Sequence, residues 1–168
     1  MTFGGFSSRS DAGRLLGREA ASRHFVDPVV LALPRGGVPV ALEVARMLGA
    51  PMDLLLVRKI GVPWQAELAA AAVVDGEAHD LVFNEEVIAA WGLHRQEIEK
   101  AAAAEVAEIE RRRTLYLKNR PSLPVAGRTA VVVDDGIATG TTVRAALVAL
   151  RRRQPLKLVL AEIGRAHV

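Results

Sequence analysis

Short apolar runs alternate with segments of helical periodicity, and this alternation is the main structural signal of the chain. A short apolar run predicts a buried strand, whereas apolar residues spaced three to four positions apart predict a helix. The predicted strands are 29–33, 53–57, 68–74, 81–83, 130–133 and 156–161. The predicted helices are 10–24, 38–48, a short one from 84 to before 92, 94–118 and one that follows 142 and ends near 153. The pattern indicates a three-layer α/β fold in which helices flank a mostly parallel sheet.

Two features interrupt this alternation. Residues 60–67 contain glycine, proline and tryptophan in close succession, which predicts a loop. Residues 68–74 and 81–83 flank an Asp-Gly pair, which predicts a small hairpin or a strand pair with a wider turn. In a parallel sheet, ligands bind beyond the carboxyl ends of the strands, so the loops that follow the strands are where we expect the chemistry.

Composition narrows the class of protein. The 168 residues are 51% hydrophobic and 24% charged, which is typical of a globular domain, and we assign residues 1–161 to a single one. Cysteine is absent, which excludes disulfide scaffolds and thiolate metal sites. No apolar run is long enough for a membrane span and no signal segment is evident, so we expect a cytoplasmic protein without a membrane partner.

The sharpest chemical signal follows the strand 130–133. Two adjacent carboxylates, Asp134 and Asp135, precede a turn of small residues that opens a helix. That turn is Ala138, Thr139, Gly140, Thr141 and Thr142. Backbone N–H groups at a helix start bind anions, and carboxylates accept hydrogen bonds from sugar hydroxyls, so a ribose 5-phosphate fits. An ordinary strand–turn–helix with a threonine cap is the alternative, but two adjacent acids repel each other without a ligand or cation.

Residues 131–142, which read Val-Val-Val-Asp-Asp-Gly-Ile-Ala-Thr-Gly-Thr-Thr, closely resemble a known motif. It is the motif with which type I phosphoribosyltransferases bind 5-phosphoribosyl-1-pyrophosphate (PRPP). The resemblance covers about residues 3–161 and is nearest to a subgroup whose acceptor is not generally assigned. It implies transfer of the phosphoribosyl group of PRPP to a nitrogenous base, purine or pyrimidine, with release of pyrophosphate. It also implies a requirement for Mg²⁺ and a homodimer.

Two further loops resemble those of the family. Arg35, Gly36 and Gly37 are similar to the pyrophosphate loop, where arginine supplies charge, glycines expose N–H groups and relatives often hold a non-proline cis peptide. Arg58 and Lys59 are similar to the start of a flexible loop that closes over the reaction centre, where they would face the leaving pyrophosphate. Taken alone, the first loop also fits a turn with a surface arginine, and the second a solvated basic turn.

The resemblance implies a role for each part of the motif. Asp134 and Asp135 would contact the ribose hydroxyls and, directly or through water, Mg²⁺, while residues 138–142 would hold the 5-phosphate. With Arg58 and Lys59, the two acids are the expected catalytic residues. Enzymes of the 6-oxopurine branch carry an aspartate where this chain has Ala138, so the acceptor base stays open.

The last residues, 162–168, depart from the pattern of the preceding strand. They read Glu-Ile-Gly-Arg-Ala-His-Val and resemble a translated sequencing adapter. We therefore expect a non-native tail on a truncated chain, with a divergent native tail as the alternative.

A second function is compatible with the same fold: a regulatory protein that senses PRPP and binds nucleic acid without catalysis. The net charge is +3, and the support for this function is two triple-arginine runs, 111–113 and 151–153. Both runs lie near predicted helix ends, where cations favour the helix dipole. We therefore expect PRPP and a small base as partners, and no nucleic acid.

Overall fold

The computed structural model of the protein describes residues 6–137 and 140–164. Strands and helices alternate in its first and last parts, while its middle part carries four consecutive strands. The elements are α1 (Arg9–Ser22), β1 (Pro28–Ala32), α2 (Gly37–Leu48), β2 (Met52–Leu54), β3 (Val57–Val62), β4 (Gln65–Val74), β5 (Asp80–Phe83), α3 (Glu85–Trp91), α4 (Arg95–Leu117), β6 (Thr129–Asp134), α5 (Thr141–Arg152) and β7 (Lys157–Glu162).

The chain divides into two compact units. The first consists of the described parts of Met1–Leu55, Leu123–Gly140 and Leu150–Val168, and the second of Leu56–Ser122 and Thr141–Ala149. Each unit has its own sheet.

The first unit contains a parallel four-stranded sheet in the order β2-β1-β6-β7. Helix α2 packs on β1, β2 and β6, and α1 packs on α2 and reaches β7. The aliphatic side chains of both helices and of one sheet face form the core, as expected for strands buried in an α/β fold. The core residues are Ala20, Val30, Ala32, Val40, Ala41, Val44, Ala45, Val131, Val133 and Ala161.

The second unit contains an antiparallel sheet in the order β3-β4-β5. Helix α4 packs on β3 and β4, and α3 packs on β4. A buried ion pair joins the sheet to α4, because Arg113 Nη1 donates to Asp75 Oδ2 at 2.6 Å and Asp75 is 1% exposed. The more exposed arginines of the same run, Arg111 and Arg112, both pair with Glu108.

The predicted α/β class, with a parallel sheet flanked by helices, is confirmed. The 68–74 and 81–83 hairpin is also confirmed, as strands β4 and β5. The first helix is capped by Ser8, which accepts the Asp11 N–H at 3.1 Å, so the helix starts at Arg9, one residue before the predicted start at residue 10.

The prediction for residues 53–67 is wrong. The expected strand 53–57 is split between β2 and β3, and the expected loop 60–67 is a hairpin of β3 and β4. Ile60 and Val62 alternate with less buried residues and point into the core, which is the period of a half-buried strand. The glycine and proline that suggested a loop occupy a bulge at Gly61 and the turn at 63–64.

No helix in the described part of the chain is both long and apolar enough to cross a bilayer.

Candidate active site

The loops after β1 and β6 start side by side. These strands are parallel neighbours with Ala32 opposite Val133, and the Leu33 N–H donates to the Val133 carbonyl at 2.9 Å. The carboxyl ends of parallel neighbours lie at the same sheet edge. Two separate predictions, the Arg-Gly-Gly loop and the acidic pair, therefore meet in one place within the first unit.

Gly36 and Gly37 allow the loop after β1 to touch the end of β6. A Cβ on Gly37 would lie 2.6 Å from the Val133 carbonyl oxygen, and a Cβ on Gly36 would collide with the Asp135 carboxyl group. The Gly37 N–H donates to the Leu33 carbonyl at 3.0 Å, so the expectation that it is exposed for an anion is wrong. Close approach explains why these positions hold glycine.

Arg35 is the cation of this loop. Its side chain is exposed and makes no hydrogen bond or ion pair with a described residue. The Pro34–Arg35 peptide bond is cis, which confirms the expected non-proline cis peptide in this loop. The guanidinium group is thus available to an anionic ligand at the carboxyl end of β1.

The two acids differ in their surroundings. Asp134 is the last residue of β6; its Oδ1 accepts the Asp135 N–H at 2.8 Å, and no described cation pairs with it. Burial, and after it the charges of Asp135 and Glu162, raises the pKa of Asp134 to about 6, against the opposing effect of that backbone hydrogen bond. Glu162 faces Asp134 across the β6–β7 pairing. It adds a third carboxylate, which the sequence of 162–168 gave no reason to expect near the site.

Asp135 has a partner that sequence reasoning missed. Arg9 Nε, at the start of α1, donates to Asp135 Oδ2 at 2.8 Å, and the two side chains are 39% and 24% exposed. For Asp135, the protein itself supplies the cation that two adjacent acids were expected to need.

Arg9 lies on a face of α1 that carries glycines and packs against α2. Gly13 and Gly17 follow Arg9 at intervals of four residues, so the three lie on one face of the helix. A Cβ on Gly13 would lie 2.9 Å from the Val40 carbonyl oxygen, and one on Gly17 would lie 2.8 Å from Met47 Cγ. The helix α1 backbone therefore lies directly against α2 along this face. The spacing of Gly13 and Gly17 predicts a close contact of α1 with a neighbouring element, but it does not identify Asp135 as the partner of Arg9.

The remaining predicted phosphate-binding residues lie around the start of α5. Ala138 and Thr139 are outside the described residues. Gly140 precedes the helix with φ of +78°, a left-handed conformation that favours glycine, and Thr141 and Thr142 form its first turn. Both threonines are partly exposed.

Arg58 and Lys59 lie in the second unit. We expected them just past the end of a strand, but they lie inside β3. There Arg58 Nε donates to Glu105 Oε2 at 2.7 Å. Lys59 is exposed and has no partner among the described residues. Their role toward pyrophosphate stays a prediction.

The residues present fit a magnesium ion only if most of its ligands come from elsewhere. Within 6–137 and 140–164, no three histidine, aspartate or glutamate side chains are grouped so as to hold a metal. Asp134 nevertheless concentrates uncompensated negative charge beside Asp135 and Glu162. A hard cation that keeps water and substrate oxygens as ligands suits this arrangement.

Comparison with known proteins identifies the family of the chain. The family model described as "Phosphoribosyl transferase domain" matches residues 11–167. The chain belongs to the type I phosphoribosyltransferase family. It is 33% identical to TT1426 from Thermus thermophilus, whose crystal structure superposes with a TM-score of 0.81 over 96% of this chain and 85% of that one.

Two further comparisons show the range of the similarity. "Putative phosphoribosyl transferase Rv0571c" of Mycobacterium tuberculosis is 45% identical over 156 residues, which are 93% of this chain and 35% of that protein. The chain thus spans about a third of this relative. The purine phosphoribosyltransferase of Pyrococcus horikoshii, at 14% identity, shares the phosphoribosyltransferase fold with a TM-score of 0.52 over 94% of this chain and 73% of that one.

Proposed function

We propose that the protein transfers the 5-phosphoribosyl group of PRPP to a nitrogenous base, purine or pyrimidine, and releases pyrophosphate in a Mg²⁺-dependent reaction. In this reaction the C1–oxygen bond to pyrophosphate breaks with its electron pair going to the leaving group. A new bond forms between C1 and a ring nitrogen of the base, which loses its proton.

The observation that carries the proposal is the meeting of the two loops at the carboxyl ends of β1 and β6. The exposed Arg35 lies in one loop, and Asp134 and Asp135 lie in the other, with Gly36 touching Asp135. An anionic leaving group and a hydroxyl-bearing sugar are what a cation and two carboxylates in neighbouring loops can recognise.

Each group has a separate task in the proposed reaction. Arg35 binds the pyrophosphate and favours its departure, because charge develops on the leaving oxygen as the bond breaks. Asp134 and Asp135 accept hydrogen bonds from the ribose hydroxyls and so orient C1. The start of α5 at Gly140 binds the 5-phosphate through the N–H groups of its first turn.

A magnesium ion, when bound, would neutralise the charge of the pyrophosphate. Asp134 is the residue that would contribute to holding it, directly or through water, since no described cation pairs with it. Arg9 already engages Asp135.

The experiment is a titration with PRPP, followed by a turnover assay. Isothermal titration calorimetry with and without Mg²⁺ measures binding, and release of pyrophosphate in the presence of a panel of bases measures transfer. We expect Arg35→Ala to weaken PRPP binding at least tenfold without lowering the Tm, because its side chain is exposed. Arg23→Ala is the matched control, since Arg23 is an exposed arginine of the same unit paired with Glu19.

The double variant Asp134→Asn with Asp135→Asn should keep its fold and lose PRPP binding. Unchanged affinity in that variant would contradict the site. Binding of PRPP without turnover of any base, together with salt-dependent binding of RNA or DNA, would favour the regulatory function instead. Gel filtration tests the homodimer, which stays a prediction from the family.

A further inference from the structure

We propose that Arg9 is a positioning residue of the PRPP site, which acts by holding the carboxylate of Asp135 in the orientation that receives the ribose. The inference rests on the proposed function and adds a residue that the motif does not contain. Arg9 lies 126 residues from Asp135 in the chain, on a different element.

The contact between the two residues has the geometry of a strong, oriented ion pair. Arg9 Nε lies 2.8 Å from Asp135 Oδ2, the usual length of a charge-assisted hydrogen bond. It uses one oxygen of the Asp135 carboxylate, Oδ2. Both side chains are partly buried, so water screens this pair less than a fully exposed one.

Asp135 is confined on a second side as well. Its carboxyl group lies against Gly36, where even a methyl group would collide with it. The carboxylate is therefore held between the cation on α1 and the loop after β1. Of the two acids, only Asp135 is anchored in this way within the described residues, whereas Asp134 is bonded by the neighbouring backbone N–H.

Arg9 is itself held by rigid structure. It occupies the first turn of α1, and Gly13, one turn later, touches the backbone of α2 at Val40. Helix α2 starts at Gly37, directly after the residue that touches Asp135. Contacts thus run in a closed series from α1 to α2, through the loop after β1 to Asp135, and back to α1 through Arg9. A shift of α1 would therefore move Asp135.

An ion pair of this kind removes the rotamer freedom of Asp135 before the ligand arrives. A ribose hydroxyl that meets an already oriented acceptor binds more tightly than one that must order it. The pair also offsets the repulsion between the two adjacent acids. Without Arg9, both acids would carry uncompensated charge, and the anionic PRPP would meet a more negative site.

A double-mutant cycle tests the proposal with Arg9→Ala, Asp135→Asn and both together. Calorimetry of PRPP binding should show about a tenfold loss for Arg9→Ala, the size of one charge-assisted hydrogen bond. It should show no further loss when Arg9→Ala is added to Asp135→Asn, because Arg9 acts through that carboxylate. Arg9→Lys, which keeps the charge, should recover part of the affinity.

The control is Arg14→Ala. Arg14 lies on the same helix, and among the described residues its ion-pair partner is Asp11 of that helix alone. This variant should bind PRPP as the wild type does. Equal affinity of wild type and Arg9→Ala overturns the inference and leaves the proposed function intact. Additive losses in the cycle also overturn it, since a merely structural effect of Arg9 does not depend on Asp135. A wild-type protein that fails to bind PRPP overturns the proposed function, and this inference with it.

Discussion

Alanine at Gly37 should mainly lower stability, whereas alanine at Gly36 should mainly weaken ligand binding. Gly36 has φ of −63° and ψ of −35°, and Gly37 starts a helix, so alanine fits both backbones. The difference lies in what the new methyl group meets. At Gly37 it meets the main chain of β6, and at Gly36 it meets the side chain of Asp135.

The loss of stability at each position depends on whether the atoms that the new methyl group meets can move. The methyl group of Gly37→Ala would lie 2.6 Å from the Val133 carbonyl oxygen, where ordinary contact begins at 3.4 Å, so about 0.8 Å must come from separating α2 and β6. Overpacking of this kind costs about 1 to 3 kcal/mol, more than the gain of up to about 1 kcal/mol in helix propensity. Gly36→Ala can instead rotate Asp135 away, with a smaller loss of stability but with loss of the Arg9 contact.

Urea denaturation and PRPP calorimetry measure both effects. We expect Gly37→Ala to lower the unfolding free energy by about 1 to 2 kcal/mol, which is a few degrees in Tm. Gly36→Ala should keep most of its stability and lose PRPP affinity about tenfold. Gly127→Ala is the control. Gly127 has φ of +70° with nothing near its Cβ, so alanine there strains the backbone at a position outside the site. The reasoning is refuted if Gly37→Ala is as stable as wild type, or if Gly36→Ala binds PRPP normally.

Ion pairs and titrating groups give three more predictions. Asp75→Asn removes one charge of the buried Arg113–Asp75 pair and should lower the unfolding free energy by about 3 to 5 kcal/mol in a denaturant titration. Asp134 keeps a proton up to a pKa of about 6 in the folded protein, against an ordinary value of 3.8, so stability should fall as pH rises between these values, and Asp134→Asn should remove that part of the dependence. Lys59→Ala should raise the KM for PRPP without changing the Tm, whereas Arg58→Ala should lower the Tm.

Each of these has a contradicting result. Equal stability of Asp75→Asn and wild type would mean that the buried pair contributes no net stability. A pH profile of unfolding that is the same with and without the Asp134 carboxyl would contradict its raised pKa. Unchanged kinetics of Lys59→Ala would remove that residue from the predicted pyrophosphate contacts.

Local signals in the sequence were sufficient for most elements of the first unit. Apolar runs and turn residues that are adjacent in the chain were enough to predict the strand 130–133 and the helix 38–48. They were also enough to place Asp134 and Arg35 after strands. The hairpin over β3 and β4 was missed because Gly61 and the turn residues carry the composition of a loop. The pairing of β3 with β4, which only the folded sheet shows, makes this segment a strand.

By itself, the sequence determined the α/β fold and the family of the protein, and it predicted which loops bind phosphates. Only the tertiary structure decided that the two acids are unequal, with Asp135 bound to Arg9 and Asp134 left with a raised pKa. It also decided that Gly37 is required for contact with β6 and not for a free N–H group. The physical reason is the same in each case. Charge pairing and close approach depend on which distant segments the core brings into contact, and a local pattern carries no record of that partner.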